Sequence, residues 1–327
     1  MAKARPDLAM DLNVIRPEGD LDKTSSLLEI GGRGVFASAL QEALLDGSVD
    51  LAVHATKDVP TIEPTGLVIA AFPEREDARD AVVSRHGVGL AELPAAPVIG
   101  TSSRRRAVQV LALRPDATIV DLRGNIDTRL RKAESEDYDA VILAAAGLTR
   151  MGWQDRITEY LDLDRFVPSP GQGALAIETR AAPDPAFDIV AALDRPDISL
   201  AVRLEREFLR TMGGGCTTPV GAHAAVEGDS VTFWAMMASD DGSRMTLRRD
   251  GFPVASALDS ARQLASQMMK ELSPTWSGLG IAGDASEVRH PLAGKQVIVT
   301  GTGEFASRVG EAFGAELATV LEAPTLE

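Results

Sequence analysis

The sequence predicts an α/β protein built around a mostly parallel sheet. Three observations predict it. Short apolar runs of strand length alternate with longer stretches whose apolar residues recur at helical period. Two of the runs, Ala96-Pro-Val-Ile99 and Thr118-Ile-Val-Asp-Leu122, end in clusters of polar and basic residues, as strand C-termini do where a ligand binds. A stiff Pro/Gly crossing, Val167-Pro-Ser-Pro-Gly-Gln-Gly-Ala174, then returns the chain to a strand at Leu175–Glu178.

Taken in order, Ala2–Asp7 reads as the tail of a helix with no cap before it, so sequence is expected upstream of Met1. Asp11–Ile15 reads as a strand, and Glu29–Phe36 as a glycine-rich turn. Ala37–Leu45 is an amphipathic helix stopped by Asp46-Gly47. Val49–His54 and Leu67–Ala71 are strands, with Lys57-Asp58 at the end of the first. The segment 79–167 alternates strand and helix, its last strand being Ala140–Ala144. Ser199–Thr211 is helical and leads into Gly213-Gly-Gly-Cys216. Val231–Met236 and Arg244–Arg248 form an antiparallel pair, and a helix over Ala255–Leu272 closes a small α+β unit. Gln296–Thr300 opens a last strand–turn–helix–strand segment.

The chain has 327 residues, with 48 acidic against 33 basic side chains and a net charge of -15. That balance argues against nucleic-acid binding. It also makes Gly100-Thr-Ser-Ser-Arg-Arg-Arg106 and Arg123, Arg129, Arg131 and Lys132 more telling, because they oppose the overall field. Three arginines in the first turn of a helix are misplaced relative to its dipole unless an anion is expected there. Together the two clusters predict a cleft for a ligand with several carboxylates or phosphates. No apolar run is long enough to span a membrane, and no metal-ligand spacing is present. The single cysteine, Cys216, excludes an intrachain disulfide and fits a reducing cytoplasm; the glycines before it favour an accessible thiol over a buried one. Asp58 at a strand end reads either as a turn aspartate or as a ligand-facing carboxylate.

Six stretches occur in the order, and at about the spacing, of one family. They are Gly31-Gly-Arg-Gly-Val-Phe36, His54-Ala-Thr-Lys-Asp-Val-Pro60, Gly100–Arg106, Leu122-Arg-Gly-Asn125, Pro170-Gly-Gln-Gly-Ala174 and Gly213–Cys216. Over roughly residues 3–275 the chain resembles hydroxymethylbilane synthase, also called porphobilinogen deaminase. The resemblance implies two periplasmic-binding-protein-like lobes plus a small α+β C-terminal domain. It places domain 1 at 1–73 and 174–193, its first strand missing, domain 2 at 79–167 and domain 3 at 196–275. It implies a transferase of tetrapyrrole biosynthesis that joins four porphobilinogens head to tail with loss of ammonia and releases linear hydroxymethylbilane. It implies a dipyrromethane cofactor held covalently by Cys216, with its carboxylates on Lys57, Thr101, Ser102, Ser103, Arg105, Arg106, Arg123 and Arg129. Asp58 matches the catalytic aspartate that stabilises a cationic azafulvene, and Arg33, Phe36 and Gln172 fall at the substrate side or mouth of the site. Arg33 stands where a lysine is common, Ala55 where serine is common and Arg104 where an apolar residue is frequent, and the family's opening Arg-x-Ser motif has no match. The rival class is a two-lobed protein that captures a small anion without chemistry.

After a linker at 276–290, residues 291–327 carry two patterns. Gly301-Thr-Gly-Glu-Phe-Ala306 fits a dinucleotide fingerprint, with Glu322 about 20 residues on. Pro291–Thr300 resembles the opening of uroporphyrinogen-III synthase, which implies a fused or associated partner for the next step.

Overall fold

The computed structural model describes residues 11–13, 15, 34–213, 219–239, 242–272, 295–300 and 318–323. The chain divides into one compact unit, Met1–Gly278, and a second, Leu279–Glu327.

In the first unit, α1 (Gly34–Leu45) lies beside a sheet of three strands. These are β1 (Leu51–Ala55), β2 (Leu67–Ala71) and β8 (Leu175–Arg180), in the order β1-β8-β2 with β8 antiparallel to both neighbours. The middle strand thus comes from a hundred residues downstream of its partners. Asp11–Asn13 and Ile15, expected as a strand, carry no regular structure.

The second sheet has the order β5-β4-β6-β3-β7. Its strands are β3 (Asp80–Ser84), β4 (Val98–Gly100), β5 (Thr118–Val120), β6 (Ala140–Ala144) and β7 (Glu159–Tyr160), with α2 (Arg104–Leu113), α3 (Ile126–Lys132) and α4 (Ala145–Arg150) between them. β4 runs parallel to β5 and β6, whereas β3 is antiparallel to β6 and β7. The sheet is therefore mixed, not mostly parallel as the alternation predicted. β3 is buried along its whole length, so it has no polar face to reveal its orientation. Val82, Ile99, Val110, Ile142 and Phe166 make the core beneath it.

α5 (Pro185–Ala191) leads into α6 (Pro196–Thr211), which packs on α7 (Ala257–Leu272) and on a meander of β9 (Val220–Glu227), β10 (Ser230–Ala238) and β11 (Met245–Pro253). Leu204 and Phe208 of α6 meet Phe233, Leu264 and Met268 in its core. β9 escaped the sequence reading because Gly221 and its alanines have weak strand propensity. They are small because the crossing lies against them. A Cβ on Gly221 would sit 2.7 Å from the Val167 carbonyl, and Ala222 N–H donates to the Pro168 carbonyl at 3.0 Å.

In the second unit, β12 (Lys295–Thr300) and β13 (Ala318–Ala323) pair in parallel. The rest of that unit, including the expected helix, and the linker at 276–290 lie outside the described residues.

Candidate active site

Lys57 and Asp58 stand half-buried in a single 3-10 turn, Thr56–Asp58, at the end of β1. The turn is pinned on both sides. Thr56 N–H donates to the Ala174 carbonyl at 3.1 Å, and Val59 N–H to the Thr56 carbonyl at 3.2 Å. From α6, Arg206 donates to the Val59 carbonyl at 3.1 Å and the Pro60 carbonyl at 2.7 Å. Burial lowers the Arg206 pKa, so this cation is held for its donors in a site that disfavours its charge.

The polar loop after β4 is knitted to the end of β5. Thr101 N–H donates to the Val120 carbonyl, Thr101 Oγ1 accepts from Ser103 N–H, and Ser102 Oγ both donates to the Leu122 carbonyl at 2.6 Å and accepts from Leu122 N–H. Ser103 caps α2. This holds the loops that lead into the two arginine clusters side by side.

They behave differently there. Arg105 and Arg106 are buried and turn onto Asp80, itself fully buried, at 2.7 Å each. Arg105 also donates to the Val167 carbonyl, and Arg106 to the Ile142 carbonyl. Gln172, buried in the crossing, adds a third donor to Asp80 at 3.0 Å. Burial would raise the Asp80 pKa, but the guanidinium groups of Arg105 and Arg106 outweigh it and hold the carboxyl well below its ordinary value. Arg123 and Arg129 are the more open pair: Arg123 is about half exposed beside Asp121, and Arg129 Nε donates to the Gly124 carbonyl at 2.6 Å. Cys216 and Arg33 lie outside the described residues, as does the side chain of Phe36.

Other groups that build the site left no signal in the sequence. Glu205 on α6 is fully buried and accepts from Arg75 at 2.6 and 3.0 Å, Gly171 N–H at 2.7 Å and Ala224 N–H at 2.8 Å. Burial opposes its ionisation, yet Arg75 and His223 bring its pKa down to about 2. Arg75 further donates to the Gln172 carbonyl, and Arg150 at the end of α4 donates to the Gly173 carbonyl at 2.6 Å. Gly173 itself has φ +85°, and a Cβ there would meet the Glu76 carbonyl at 2.3 Å, so only glycine lets the two crossing segments touch. Asp80 could be suspected only from its place at the head of an apolar run; partners 130 residues apart, such as Arg75 and Glu205, cannot be paired from sequence alone.

A half-buried carboxylate at one strand end, with arginine clusters after two strands of the α/β sheet, fits an enzyme that works on polycarboxylated substrates. Residues 1–187 match the family described as "Porphobilinogen deaminase, dipyromethane cofactor binding domain", and residues 199–273 match "Porphobilinogen deaminase, C-terminal domain". The porphobilinogen deaminase of Syntrophobacter fumaroxidans is 47% identical over 265 residues, covering 81% of this chain and 85% of that one. Those of Syntrophotalea carbinolica (45%, 81% and 84%) and Bacillus subtilis (45%, 74% and 78%) are similar. The chain belongs to the porphobilinogen deaminase family. Its reaction is that of a hydroxymethylbilane synthase, a transferase that joins four porphobilinogens with loss of ammonia, and its cofactor is dipyrromethane. Among the described residues no helix is long and apolar enough to cross a membrane.

Proposed function

We propose that Asp58 is the catalytic carboxylate of this chain and that Cys216 carries the dipyrromethane through a thioether. The observation that supports Asp58 most is its half-buried place in a strand-end turn fixed by Ala174 and Arg206. The cofactor fits the donor set: a group with four carboxylates needs several cations. Arg123, Arg129 and Lys57 take those carboxylates directly. Arg105 and Arg106, held on Asp80, add positive charge beside that carboxylate, with Thr101, Ser102 and Ser103 shaping the loop around them. Arg33 and Phe36 belong to the substrate side, whereas Gln172, buried against Asp80, acts through that carboxylate and not at the mouth of the site. When bound, the cofactor supplies an unsubstituted pyrrole carbon as the nucleophile that starts the chain. Asp58 stabilises the positive charge that develops on porphobilinogen as ammonia leaves, and it takes up the proton displaced at the carbon that forms the new bond.

The same reading divides the first unit into domains at 1–73 with 174–193, 79–167 and 196–275, supported by its three separate sheets. It assigns residues 291–327 to the opening of a fused uroporphyrinogen-III synthase. The parallel β12–β13 pair supports this, because parallel neighbours need a crossover of the βαβ kind. A coding sequence continuing past Glu327 into an unrelated domain would remove the assignment. A cytoplasmic enzyme fits a lone thiol reserved for the cofactor, and fractionation of the host cell checks it.

The experiment for the site is intact mass combined with turnover. Asp58→Asn should keep the cofactor mass and lose about 10²- to 10³-fold in kcat. Cys216→Ser should lack the adduct. Near-normal kcat in Asp58→Asn, or an unmodified Cys216 in active protein, would remove the corresponding assignment.

A further inference from the structure

Behind the catalytic turn lies a buried polar chain that the family reaction has not absorbed. Glu178, in the middle strand β8, is wholly shielded from solvent. Its Oε1 accepts from Gln41 Nε2 of α1 at 2.9 Å, and its Oε2 lies 3.0 Å from His54 Nε2 on β1. Because Ala52 pairs with Glu178 and His54 with Ala176, the two side chains are diagonal neighbours on one face of the sheet. Arg206 is the cation whose charge bears on Glu178 from α6. An ionised carboxylate makes Nε2 the protonated nitrogen of a neutral His54 and leaves Nδ1 as its acceptor. Nδ1 has no hydrogen-bond partner among the described residues.

His54 also lines a cavity of about 190 Å³ between α1 and the end of β1, and Asp58 lines the same cavity. The other lining residues among those described are Ala37, Leu40, Val53 and Ala55, all apolar. Among the described lining residues, His54 and Asp58 are thus the two side chains that can exchange a proton. A cavity of this volume has room for water bridging the two.

We propose that His54, oriented by Glu178, relays protons between Asp58 and the leaving ammonia through this shared cavity. The inference rests on the reading of Asp58 as the catalytic carboxylate. Each coupling frees one proton and one ammonia. Asp58 takes the proton as the carbon–carbon bond forms. The protonated carboxyl passes it to His54 Nδ1, directly or through cavity water. The resulting imidazolium is stabilised by Glu178, and it passes the proton to the ammonia already released when the positive charge formed. Asp58 is left ionised and His54 neutral, and ammonium leaves. No oxidant or further reactant is needed. His54 acts through Asp58 and does not touch the forming bond.

The test compares His54→Gln, Glu178→Gln and Asp58→Asn in the cofactor-loaded enzyme, across about pH 6 to pH 9. His54→Gln keeps a donor for Glu178 but cannot titrate. It should keep the cofactor mass and a KM within about twofold, lose roughly 10²-fold in kcat and flatten the pH profile. Glu178→Gln, which removes the orienting charge, should lose less. A readout independent of turnover is the ¹⁵N signal of the His54 ring in the unmutated protein: Nε2 should be protonated, Nδ1 bare, and the ring's titration should move in Asp58→Asn. If His54→Gln does not fold, that titration decides alone. A kcat and pH profile unchanged in His54→Gln, or a ring titration indifferent to Asp58→Asn, overturns the relay. Slow Asp58→Asn beside a normal His54→Gln defeats only the relay, whereas normal turnover in both defeats the reading of Asp58.

Discussion

Two buried carboxylates set how this protein responds to acid. The folded pKa of Glu205 is about 2 and that of Asp80 is also depressed, so both bind fewer protons folded than unfolded. Their stabilisation is complete above the unfolded carboxyl values and is lost as pH falls through the folded ones. For Glu205 the window runs from about pH 4.5 down to about pH 2, and linkage makes its contribution about 3 kcal/mol. Glu205→Gln should therefore lower the urea midpoint at neutral pH, where Arg75 is left without its charge partner, and weaken the decline between about pH 5 and pH 2. Equal acid slopes in mutant and parent would assign the decline elsewhere. These residues also mark what sequence could and could not tell. Asp58 was legible as a strand-end carboxylate. Arg105 and Arg106 were legible as a cluster, but not as a pair committed to an internal aspartate 25 and 26 residues away. A charge run carries no information about burial until the strand beside it is placed.

Helices α6 and α7 were readable to within a few residues because each carries a continuous apolar stripe at helical period. β9 was not, since its small residues answer to the crossing packed on them. The direction of β3 was not either, because a wholly buried strand looks the same from both ends. What α6 does could not be read at all. Within one turn it presents Glu205 to the crossing and Arg206 to the turn at residues 56–60. Arg206→Met should cost about 1–3 kcal/mol, because a buried and a part-buried carbonyl lose their donor. Hydrogen exchange should accelerate at residues 56–60 before it does in β10. Unchanged exchange there would mean that the turn is held by Ala174 alone.

The whole chain carries -15 of net charge, so its arginine clusters are a local exception to the overall field. The first compact unit ends at Gly278. A protein ending there should load its cofactor and unfold with the same thermal midpoint as the 327-residue chain, by intact mass and calorimetry. A midpoint several degrees lower would show that residues 279–327 support the first unit.

The position of β8 between β1 and β2 has a consequence for how the chain is made. A ribosome delivers β1 and β2 first, yet these strands do not touch; each waits for a middle strand that emerges only after the second sheet has been completed. Assembly in the order of synthesis therefore runs from the inside of the sequence outward: the second sheet can close before β1 and β2 gain their shared neighbour, and the turn that holds Asp58 sets only after Ala174 has been made.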